Sequence, residues 1–60
     1  MFSLSYVIKK KEYHVGNGYT MSELKGLAEQ VADALKEIHC CRKITFWICE
    51  GDRVIEEFIL

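Results

Sequence analysis

The chain reads as an α+β fold, a single helix packed on a three- or four-stranded antiparallel sheet, the sheet one layer thick, in the order β-β-α-β-β. Two observations predict it. Thr20 to His39 has the spacing of one capped amphipathic helix, and the segments on either side of it carry strand-like alternation that can receive its apolar face.

The first strand is read from Phe2, Leu4, Tyr6 and Ile8 alternating with Ser3, Ser5, Val7 and Lys9. The alternation breaks at Lys9, Lys10 and Lys11, beyond which Tyr13 and Val15 sit on the other parity. Either a turn at the lysines or a bulge in one long strand explains the shift, and a short second strand from about Glu12 to Val15 is favoured. Gly16-Asn17-Gly18 is then the place where the chain redirects, since both residue types tolerate positive φ.

Thr20 and Glu23 have capping-box spacing, which predicts a Thr20 cap with the Glu23 carboxylate reaching back to the cap residue's own N–H; Ser22 is the competing cap. Leu24, Leu27, Ala28, Val31, Leu35 and Ile38 recur at three- and four-residue steps and form the expected buried stripe. The polar remainder is a solvated face on which Lys25 and Glu29, one turn apart, can pair weakly. Gly26 inside the helix costs about 1 kcal/mol relative to alanine, so it marks either a close contact or tolerance.

Lys43 to Glu50 sets Ile44, Phe46 and Ile48 against Thr45, Trp47 and Cys49, and its β-branched and aromatic residues make it the clearest strand. Glu50-Gly51-Asp52-Arg53 supplies a hairpin turn into Val54 to Leu60. Val54, Ile55, Phe58 and Ile59 also fit a helical stripe capped by Asp52; β-branched content favours the strand. The expected core joins the helical stripe to Leu4, Tyr6, Ile8, Ile44, Phe46 and Ile48.

The whole 1–60 span makes one compact domain, with no repeat or linker, and proline is absent. A domain of 60 residues buries only about 60% of its unfolded surface, so self-association or a partner would help it. Half the residues are apolar and 28% are charged, which excludes a disordered chain. A net charge of −1 removes any global drive toward nucleic acid or anionic lipid. There is no apolar run of the roughly 20 residues a bilayer requires, and no secretory pattern at the N-terminus, so the expectation is a cytoplasmic protein with no membrane partner. The odd set Cys40, Cys41 and Cys49 argues for reduced thiols.

Four constellations bear on function. His39, Cys40, Cys41 and Cys49, with His14, have zinc-ligand chemistry, but adjacent cysteines rarely point at one ion, so no metal or other cofactor is assigned and a thiol/histidine metal protein is the third reading. Gly16-Asn17-Gly18 lacks the Lys-Ser/Thr pair of a phosphate loop, and Glu23 would repel an anion. Lys9, Lys10 and Lys11, with Arg42 and Lys43, form a candidate nucleic-acid surface, opposed by Glu50, Asp52, Glu56 and Glu57 in the C-terminal hairpin. The leading candidate is the sheet face turned away from the helix, where Thr45, Trp47 and Cys49 lie, with Phe58 and Tyr13 as further contacts. No nucleophile, base and orienter stand at a recognisable spacing. The chain is therefore expected to be a non-enzymatic interaction or regulatory protein, a homodimer or docked on another protein, with nucleic-acid binding as the alternative.

Overall fold

A computed structural model describes residues 1–39 and 43–60. Strand β1 (Phe2–Ile8) and strand β2 (Lys11–Gly18) form one hairpin, helix α1 (Met21–His39) follows, and strands β3 (Thr45–Glu50) and β4 (Arg53–Ile59) form a second hairpin. The four strands make one antiparallel sheet in the order β2-β1-β3-β4. The fold is α+β with one open sheet, and β1 and β3 are its central strands.

The shift of parity after the lysines comes from a turn, and a bulge farther along undoes it. Ile8 pairs with Lys11 across a two-residue loop in which Lys9 and Lys10 have φ of 52° and 68°. Positive φ at both loop positions is the demand of a type I′ turn, whose twist matches that of the strands it joins. Farther along, the register slips between Leu4 and Ser5, which pair with Gly16 and His14 and leave Val15 as the bulged residue.

The second strand is longer than Glu12 to Val15, and Gly16-Asn17-Gly18 does not redirect the chain. These residues continue β2 opposite Leu4, Ser3 and Phe2. Gly18 serves close approach rather than a turn. A Cβ there would lie 3.1 Å from Leu24 Cδ2 and 3.2 Å from Glu23 Oε2, whereas one at Gly16 would meet Leu27 Cδ2 at an ordinary contact distance of 3.7 Å. The helix therefore rests on the bare backbone of β2, and the chain reverses at Tyr19 and Thr20 instead.

Thr20 is the cap: its Oγ1 accepts the Glu23 N–H at 3.2 Å. The Glu23 carboxylate accepts from the Tyr19 N–H at 3.1 Å, one residue before the cap, rather than from Thr20 itself. Lys25 does not pair with Glu29; its Nζ lies 3.0 Å from Glu56 Oε1 on β4. Gly26 is exposed with nothing within 4 Å of its Cβ position, so no close contact offsets its helical cost.

The core comprises Leu4, Leu24, Ala28, Ala32, Leu35, Ile44, Phe46 and Ile48, flanked by half-buried Tyr6, Ile8, Leu27 and Val31. Ile38 is not part of it and is 71% exposed. The buried stripe is rotated toward Ala32, which puts Leu27 and Val31 on its margin and Ile38 on that same margin in the last helical turn. Alanines at 28 and 32 let the helix sit low over β1, β2 and β3; its backbone does not reach β4.

β3 and β4 meet at a two-residue loop in which Gly51 has a φ of 63°. The C-terminal segment is a strand, and its pairing runs on past β4, since Ile44 and Leu60 exchange both backbone hydrogen bonds. Across the helix-facing side of the sheet, Tyr13, Tyr6, Phe46 and Phe58 stand directly opposite one another on the four strands. Tyr6 stacks on Tyr13 at 5.0 Å and Phe46 on Phe58 at 5.6 Å between ring centroids, with Tyr6 and Phe46 tilted at 6.2 Å. Among the described residues no helix is long and apolar enough to cross a membrane.

Candidate interaction surface on the open sheet face

With the helix on one side of the sheet, no element among the described residues covers the other side. Strand alternation assigns the residues of that open face. On β3 they are Thr45, Trp47 and Cys49, half-buried between the fully buried Ile44, Phe46 and Ile48. Opposite them on β1 stand Val7, Ser5 and Ser3, and on β4 Ile59, Glu57 and Val54. The three expected contact residues of β3 thus come together.

Tyr13 and Phe58 do not join them. Both belong to the aromatic row on the helix-facing side of the sheet, because the hairpin brings Tyr13 opposite Tyr6 and the second bulge, at Ile55, resets the parity of β4 so that Phe58 faces Phe46. Val54 and Ile59 take their place on the open face, 50% and 59% exposed. Alternating apolar residues in the C-terminal segment were the available signal, but the bulge decided which of them point outward.

Trp47 is oriented by its neighbour. Its Nε1–H donates to Glu57 Oε2 at 2.6 Å, directly across the β3–β4 pair. The indole thereby meets its polar requirement at the surface while its ring remains on the sheet. Ser5, between Trp47 and His14 in register, is only 3% exposed, so the larger side chains beside it close over the centre of the face. Burial pushes the Cys49 thiol above its ordinary pKa, the Glu12 carboxylate pushes it in the same direction, and a hydrogen bond with Ser3 opposes them. Cys49 is a protonated, weakly nucleophilic surface thiol at neutral pH.

The basic residues are partly gathered. Lys9, Lys10 and Lys11 lie at the end of the sheet where β1 finishes, and Lys43 precedes β3 at that same end, since Val7 pairs with Thr45. The Lys11 ammonium also lies 5.8 Å from the Tyr13 ring centroid. Glu50 and Asp52 occupy the opposite end, at the β3–β4 turn. Arg42, Cys40 and Cys41 lie outside the described residues, as does the side chain of His39. Among the described residues no three of His, Cys, Asp and Glu are grouped to hold a metal ion.

Beside the helix, Glu29, Ala32, Asp33, Lys36 and Leu60 line an open groove of about 250 Å³, left because α1 stops short of β4. Comparisons with protein-family models, with curated proteins and with solved structures find no match to this chain.

Proposed function

We propose that this is a non-enzymatic interaction or regulatory protein, working in the cytoplasm, that self-associates or docks on a protein partner through the open sheet face. The observation that carries the reading is Trp47, held on an uncovered face with Val7, Val54 and Ile59 around it and Glu57, His14 and Glu12 at its margins. An aromatic anchor among apolar residues inside a polar rim is the composition from which interface hot spots are built. Trp47→Ser should weaken association at least roughly thirtyfold, the lower range of a hot-spot loss, while the far-UV CD spectrum keeps its helical signal. Sedimentation equilibrium of the reduced protein reads the effect, and unchanged association removes this face from the reading.

The alternative is a nucleic-acid-binding module. It is supported by the shared location of Lys9, Lys10, Lys11 and Lys43 at one end of the sheet, away from Glu50 and Asp52. Phosphate contacts release counterions, so binding to mixed-sequence DNA or RNA should fall steeply as salt rises from low to physiological concentration. Absence of binding at low salt ends this alternative.

A further inference from the structure

Backbone geometry assigns a free edge. Ile44 and Leu60 exchange both their hydrogen bonds, N to O at 2.9 and 3.0 Å. In an antiparallel pair such reciprocal bonds recur at every second residue, so Phe58 and Glu56 also direct their backbone groups inward to β3. Glu57 and Ile59 therefore turn N–H and C=O outward, along an edge that the helix backbone does not approach. Unpaired groups of this kind on a regular, partly apolar strand are a template for another strand.

Resting on the reading of self-association above, we propose that a second copy of this chain adds to that edge, β4 against β4, antiparallel about a two-fold axis at Phe58. Only registers that oppose outward-pointing residues form the ladder. An axis at Glu57 sets the Glu57 carboxylates of the two copies against each other, which is unfavourable. An axis at Phe58 pairs Glu57 with Ile59 of the second copy twice over. The two Phe58 residues become neighbours, and the row Tyr13–Tyr6–Phe46–Phe58 continues into its symmetry mate. On the helix side, Glu56 meets the second copy's Leu60.

The product is an eight-stranded sheet with both helices on one side. Its open faces join, and Ile59 of the second copy falls in the row of Trp47 and Glu57, so Trp47 belongs to the same contact. The paired stretch is short, which puts the dimer among small, readily reversible interfaces.

The test is sedimentation equilibrium of the full, reduced chain from about micromolar to millimolar concentration, spanning weak association, on wild type, Ile59→Pro, Ile59→Thr and Trp47→Ser. Proline deletes an outward N–H and no intrachain bond, so it should leave the CD spectrum intact and weaken the dimer roughly 10–100-fold through the two bonds lost. Threonine keeps the N–H and should retain more of the affinity. As a second readout, a mixture of isotope-labelled and unlabelled wild-type chains should give intermolecular NOEs between the Phe58 residues of the two copies. A dimer that survives Ile59→Pro but not Trp47→Ser overturns the edge contact and leaves docking through the open face standing. A dimer indifferent to both variants overturns both readings. A strict monomer, or a dimer without the Phe58 NOEs, overturns the edge contact alone.

Discussion

Phe46→Ala should remove most of this protein's stability at 25 °C. Phe46 is fully buried at the centre of the sheet, stacked on Phe58 and tilted against Tyr6. Truncating a buried phenylalanine costs about 3–5 kcal/mol, as lost transfer energy and as the cavity left behind. A domain of 60 residues has only about 3–9 kcal/mol in total, at roughly 0.05–0.15 kcal/mol per residue. Relaxation is restricted, because the helix above and the strands on both sides are already in contact. Urea titration followed by far-UV CD should show a transition displaced to very low denaturant, or a chain unfolded without it. Phe58→Ala, on the half-buried edge of the same row, should cost clearly less. Equal costs would mean that the row, rather than its buried centre, carries the stability.

The double substitution Lys9→Asn, Lys10→Gly should have the opposite sign. Two consecutive lysines hold positive φ, 52° and 68°, in the loop of the β1–β2 hairpin. Each L side chain with a Cβ is disfavoured there by roughly 1–2 kcal/mol, whereas Asn-Gly is the preferred pair for a type I′ loop. No hydrogen bond of either lysine side chain is needed for the turn itself, so the exchange should stabilise the domain by about 1–2 kcal/mol. In a chain of this size, Tm rises by roughly 4–8 °C for each kcal/mol. Thermal unfolding by CD checks it, and an unchanged Tm would mean that the turn is not under strain. If the basic end of the sheet binds nucleic acid, the same variant will bind less tightly while being more stable, because it lacks two of the four lysines gathered there.

Much of the fold was legible because its determinants are local. The Thr20 cap, the apolar period of α1, the alternation of β1 and β3 and the Gly51 turn each depend on residues a few positions apart, and those interactions are the same in a peptide as in the protein. The site was legible only where parity stayed intact. Thr45, Trp47 and Cys49 share a regular strand, so their common orientation could be read from Ile44, Phe46 and Ile48. Tyr13 and Phe58 fall on the helix-facing side because a hairpin and the Ile55 bulge intervene. One extra residue in a strand moves every later side chain to the other face, and whether it is inserted depends on the partner strand.

The residues alone specify the set of elements: a capped helix, strands before and after it, and a tryptophan on the side opposite the core residues of β3. The strand order β2-β1-β3-β4, the seat for the helix at Gly18, the exposure of Ile38 and the free edge of β4 arise only in the folded chain. These are outcomes of how closely one helix can approach one sheet. That distance is set jointly by Gly18, Ala28 and Ala32, residues brought together only by the completed fold.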